Sequence, residues 1–145
     1  MNLCPTEKTE VYEHEQAVPK VLIIDDDTDA VEVLSAGLTR LGYRTVAASD
    51  GHSGMELAEL EHPRLVLLDL ALPDADGLQL CQRLSDDPKM AGIPVIIVSG
   101  TERKDIIRQS RAVGCQYFIR KPYDPNALLV LIDQAIAEAD GTALE

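Results

Sequence analysis

Positive charge is scarce in this chain. Its 145 residues hold 13 Lys and Arg against 25 Asp and Glu, for a net charge of −12 and a pI near 4.5. Phosphate backbones are bound by lysine and arginine clusters, so the imbalance argues against nucleic acid as a direct partner, and the surplus acids read as a solubilising surface. Cysteine is also sparse: Cys4, Cys81 and Cys115 are an odd number at wide spacings with no CxxC pair. That pattern favours reduced thiols in a reducing compartment over a disulfide framework or a zinc site. His14, His52 and His62 have no ligand spacing either. No segment approaches the roughly 18 apolar residues of a membrane span. Met1-Asn2-Leu3-Cys4-Pro5 lacks the apolar stretch of a secretion signal, so a cytosolic protein that neither crosses nor enters a membrane is expected. The length suffices for one hydrophobic core and not for two.

What the chain does contain is an uninterrupted alternation of short aliphatic runs and helical patterns. Residues 1–18, with Glu7, Glu10, Glu13 and Glu15, show neither period and read as a flexible extension. From Pro19, strands are expected at Lys20–Ile24, Arg44–Ala48, Arg64–Leu68, Ile93–Val98 and Gln116–Ile119. Helices are expected at Asp27–Leu41, Gly51–Leu60, Gly77–Leu84, Thr101–Val113 and from Asp124-Pro125 to about Ala139. In the first helix Ala30, Val33, Leu34, Leu38 and Leu41 recur on one face, and Gly42 is its stop. In the last, Leu128, Leu131, Ile132, Ala135 and Ile136 form the core stripe, while Leu129 and Val130 fall off it as surplus apolar surface. Repeated βα units build a doubly wound parallel sheet, here of five strands with five helices distributed over both faces. Residues 140–145 are a short tail, so no output domain is expected after the fold.

The charges fall at the strand ends. Asp25, Asp26 and Asp27 follow the first strand, Asp69 follows Leu65-Val66-Leu67-Leu68, Ser99 follows the fourth strand and Lys121 the fifth. Open parallel sheets bind ligands at the carboxyl ends of their strands, so these groups should converge. Asp27 or Thr28 serves as a helix cap, but a cap needs one residue, and three acids in series leave at least one unexplained. Converging carboxylates cannot all stay ionised without a counter-ion, which calls for a hard divalent cation; a lysine on the same rim calls for an anion such as phosphate. A magnesium-dependent phosphoryl-transfer site is the expectation.

In order and spacing these residues resemble the receiver domain of two-component response regulators, over about Pro19 to Ala139. The resemblance implies a flavodoxin-like strand order 2-1-3-4-5. It implies magnesium held by Asp25, Asp26, Asp69 and the Ala71 carbonyl, with Asp26 the direct ligand of the adjacent pair. Asp69 becomes the phosphoacceptor, Lys121 the phosphate-binding lysine, Ser99 the switch hydroxyl and Phe118 the switch aromatic. Ala71 and Thr101 occupy the positions that tune dephosphorylation, and neither carries an acid or amide to orient water, so fast self-dephosphorylation is not expected. The resemblance also implies a cis Lys121–Pro122 bond. Gly100 stands where alanine is common and Phe118 where tyrosine is frequent, so a switch built on Phe118 works by packing alone.

The implied phosphoryl donor is a sensor histidine kinase or a histidine phosphotransfer protein. The implied output is a downstream protein, or a second copy of the chain, bound through the fourth helix, fifth strand and last helix, where Arg103, Lys104, Arg108 and Arg111 face outward. Two rival readings remain. A haloacid-dehalogenase-type phosphohydrolase needs Asp-x-Asp-x-Thr or Val, but aligning Asp25 and Asp27 puts Asp29 at the last position and leaves no strand-end acidic pair after Lys121. A degenerate receiver, acting as a constitutive interaction module, is disfavoured because every charged site residue is present.

Overall fold

The computed structural model describes residues 18–141. The expected extension, save its last residue, and the last four residues of the tail lie outside that range. The elements are β1 (Lys20–Ile24), α1 (Thr28–Arg40), β2 (Arg44–Ala48), α2 (Gly51–Glu61), β3 (Leu65–Asp69), α3 (Gly77–Asp86), β4 (Val95–Ser99), α4 (Ile106–Ala112), β5 (Tyr117–Arg120) and α5 (Pro125–Ala139). Every strand pairing is parallel, and the order is β2-β1-β3-β4-β5. The doubly wound fold expected from the alternation is the one observed.

Strand side chains alternate between faces, so the continuous aliphatic runs supply two cores at once. Val21, Ile23, Leu65, Leu67, Ile96 and Val98 pack with Leu34 and Leu38 of α1 and with Leu128 and Ile132 of α5. Their neighbours Leu22, Ile24, Val66, Leu68, Val95 and Ile97 pack with Met55 and Ala58 of α2 and with Leu80 and Leu84 of α3. A fully enclosed residue of this kind contributes about 1.5–3 kcal/mol.

Four helices start on an aspartate whose carboxylate accepts a backbone N–H of the first turn: Asp27, Asp50, Asp76 and Asp124. Asp27, rather than Thr28, is therefore the cap of α1, accepting from Asp29 and Ala30 at 3.1 and 3.3 Å.

Three expectations need correction. Val33 and Leu41 are 55% and 53% exposed, because the buried stripe of α1 runs through Leu34, Gly37 and Leu38. Leu129 is buried: its Cδ1 lies where a Cβ on Gly37 would stand, at 2.6 Å, so the missing side chain at Gly37 lets the two helices approach. Val130 alone of that pair is surplus, at 67% exposed. The fourth helix begins at Ile106 and not at Thr101. Ahead of it, Ser99 Oγ accepts the Thr101 N–H and Thr101 Oγ1 accepts the Arg103 N–H, local bonds that compete with helix formation.

Candidate functional site

The strand ends carry the predicted charges to one rim. Asp25 N–H donates to the Ala48 carbonyl at 3.0 Å, which extends the β1–β2 ladder by one residue and holds Asp25 against the sheet. The Lys121 N–H donates to the Ser99 carbonyl at 2.8 Å and does the same at the other end of the site. The Lys121–Pro122 peptide is cis, as the resemblance implies.

Carboxylate oxygens of Asp25, Asp26 and Asp69 lie within 4.8 Å of one another, with Asp25 and Asp69 buried and Asp26 exposed. Lys121 Nζ reaches the cluster, 3.0 Å from Asp69 Oδ2 and 3.9 Å from Asp25 Oδ2. The other Asp69 oxygen accepts the Ala71 N–H at 3.0 Å, and Asp25 Oδ1 accepts the Asp27 N–H at 2.9 Å.

Electrostatics records the crowding. Burial pushes the Asp25 carboxyl up to about 6; the charge of Asp69 adds to this, while the Asp27 N–H and Lys121 oppose it. Burial works against the Lys121 ammonium, but the hydrogen bond it donates to Asp69 and the charges of Asp69 and Asp25 outweigh it and hold the group above its usual range. With one cation facing three carboxylates, the donor set fits a hard divalent ion taking oxygen ligands.

Ser99 is buried at the end of β4, on the strand beside Asp69, where it lines a cleft with Leu70, Ala71, Asp76 and Thr101. Ala71 is exposed on the loop after Asp69. Phe118 is half-buried in β5, opposite Ile97 and packed on the α2 and α3 side of the sheet. Arg120, whose guanidinium lies 5.8 Å from the centre of the Phe118 ring, donates from Nη1 to the Thr101 carbonyl at 2.7 Å.

Two contributors escape a residue-by-residue reading of the sequence. Asp74 accepts the Gly51 and His52 N–H groups at 2.7 and 3.1 Å, which clamps the loop after Asp69 to the start of α2 and lowers the Asp74 carboxyl from its usual range. Arg120 ties the loop after β4 to β5. Neither bond has a local sequence signal, since the partners are 23 and 19 positions apart. Asp27, the second acid of a dehalogenase-type alignment, is engaged as the cap of α1.

The same fold is found in solved receiver domains. A CheY-like response regulator receiver domain from Methanospirillum hungatei superposes with a TM-score of 0.80 at 28% identity, over 86% of this chain and 98% of that one. The response regulator receiver domain family matches residues 21–136, and the chain belongs to that family. Protein PilH of Pseudomonas aeruginosa is 31% identical over 118 residues, which is 81% of this chain and 98% of PilH. The DNA-binding dual master transcriptional regulator RpaA of Synechocystis is 34% identical over 123 residues, 85% of this chain and 51% of RpaA. The chain spans about half the length of RpaA and of the ycf27 transcriptional regulators that it also matches. Among the described residues, no helix is long and apolar enough to cross a membrane.

Proposed function

We propose that residues 19–139 form a phosphoacceptor switch in which Asp69 takes a phosphoryl group from a phosphohistidine or a small acyl phosphate. The observation that carries this is the placement of one Asp69 oxygen 3.0 Å from Lys121 Nζ, within a cluster of three carboxylates. A carboxylate oxygen of Asp69 attacks phosphorus, a P–O bond forms, and the donor's P–N or P–O bond breaks with its electron pair leaving on the imidazole or carboxylate. Lys121 neutralises charge on the transferring oxygens from one side. Asp25, Asp26, Asp69 and the Ala71 carbonyl would hold magnesium, which when bound supplies countercharge to the transferring group.

In this reading Ser99 donates to a phosphoryl oxygen, and Phe118 repacks as the loop after β4 follows. Local charge thereby becomes a change at the surface of α4, β5 and α5. Ala71 and Thr101 offer no acid or amide to a hydrolytic water, which supports slow self-dephosphorylation. The donor is a sensor histidine kinase or a histidine phosphotransfer protein, and the reduced-thiol composition supports a cytoplasmic setting.

Intact-mass spectrometry with acetyl phosphate tests the assignment. One phosphoryl group should add to the parent protein in magnesium, and none to Asp69→Asn or in EDTA. Labelling of Asp69→Asn would overturn it.

A further inference from the structure

A cavity of about 470 Å³ opens at the amino ends of β4 and β5, the end of the sheet opposite Asp69 and Lys121. Three helices terminate at its wall, marked there by Ser85 of α3, Gly114 just past α4 and Ala139, the last residue of α5. The first two are joined by a hydrogen bond that Ser85 Oγ donates to the Val113 carbonyl at 3.0 Å. Gly114, at φ 102°, permits this approach, since a Cβ there would collide with Ser85 Oγ. Ile93, Pro94 and Ala135 add apolar surface.

The charge at this cavity is one-sided. Glu138 is the only charged residue in its wall, and no Lys or Arg lines it. Each helix C-terminus carries roughly half a negative charge. Arg83 and Arg111 stand in the last turns of α3 and α4, outside the lining, whereas α5 has no basic residue in its last turn and has Glu138 there instead. An acid in that place is repelled by its own helix. Its partners are neutral: Oε1 accepts the Tyr117 hydroxyl at 2.6 Å and Oε2 accepts Gln134 Nε2 at 3.3 Å. The Tyr117 bond holds the carboxyl below its usual range, so Glu138 is ionised at neutral pH. Among the described residues no ion pair neutralises it.

We propose that this cavity binds a small alkylamine, its primary ammonium on Glu138 and its short carbon chain against Ile93, Pro94 and Ala135. An anion is opposed by Glu138 and by the three helix ends. A hard divalent cation asks for several oxygen ligands, and one carboxylate beside apolar side chains does not supply them. A guanidinium prefers two free carboxylate oxygens, but each Glu138 oxygen already accepts a bond; an ammonium N–H needs one remaining lone pair. The site shares no residue with the acid cluster, so it stands or falls apart from the phosphoacceptor reading.

Amide NMR titration of the full chain with putrescine, in excess magnesium chloride to cover the acid cluster, tests it. Saturable shifts should appear at residues 85 to 94, 114 to 116 and 135 to 139. Glu138→Gln, which keeps an acceptor for Tyr117, should weaken binding about tenfold, the loss expected for one charge-assisted hydrogen bond. Glu59→Gln removes an exposed acid of α2 with the same change in net charge, and should alter binding by less than about twofold. Butanol at the same concentration should give no saturable shift there. Shifts absent from the cavity, equal losses in the two variants, or butanol binding as tightly as the amine would each overturn the proposal. Each variant's own spectrum reports its fold, and the butanol comparison decides in the parent protein whatever the variants do.

Discussion

Asp25 is held where its charge is unwelcome. A carboxyl raised from 3.8 to about 6 in the folded chain gives stability that is present below about pH 4 and is lost as pH rises through about 6, so at neutral pH the ionised group opposes folding. In EDTA, Asp25→Asn should therefore unfold at higher urea than the parent above about pH 6, by roughly 1–3 kcal/mol, with the advantage vanishing near pH 4. An equal or lower midpoint at neutral pH would show that Lys121 already compensates the charge. Cys81 marks the opposite kind of site. Burial pushes its thiol up to about 12, and its Sγ donates to the Val113 carbonyl. Alkylation of Cys81 by iodoacetamide should stay slow and flat from about pH 7 to about pH 9 in the native protein and appear in urea, as read by peptide mass spectrometry.

At the scale of elements, the loop after Asp69 is fixed at both ends, by Asp74 at the start of α2 and by Gly77 at the start of α3. A Cβ on Gly77 would stand 2.6 Å from the Leu70 Cα, and backbone cannot rotate out of the way. Gly77→Ala should cost about 1–3 kcal/mol in urea unfolding and slow phosphorylation of Asp69 although it touches no reacting atom. Unchanged labelling kinetics would mean that the loop tolerates the shift. Elements of this type were legible where one physical signal dominated. Aliphatic runs placed all five strands to within a few residues, and Asp124-Pro125 placed the start of α5. The strand-end position of Asp25, Asp26, Asp69 and Lys121 was enough to predict that they meet. The sequence was less informative where neighbours decide. Leu129 looked surplus because its cover is a missing side chain at Gly37, which no helical period reveals. Thr101 to Asp105 looked helical because the competing partners, Ser99 Oγ and Arg120, become visible only in three dimensions.

For the molecule as a whole, a metal ion held by the acid cluster would be coupled to folding. Magnesium at one hundred times its Kd should raise the unfolding free energy by about 2.7 kcal/mol, against sodium chloride of equal ionic strength, and Asp26→Ala should lose that gain. A variant that keeps it would remove Asp26 from the ligand set. The bond from Arg120 to the Thr101 carbonyl has a further consequence, for noise. One charge-assisted hydrogen bond on a solvent-facing side chain is worth about 1.5 kcal/mol. If that bond is the main restraint on the loop after β4, the loop leaves its resting position about one time in ten to twenty without any phosphate. The chain would then carry a basal switched population of several per cent, set by one guanidinium rather than by phosphorylation. Arg120→Ala should raise that minor population, visible as larger relaxation dispersion at residues 100 to 105 in the unphosphorylated protein.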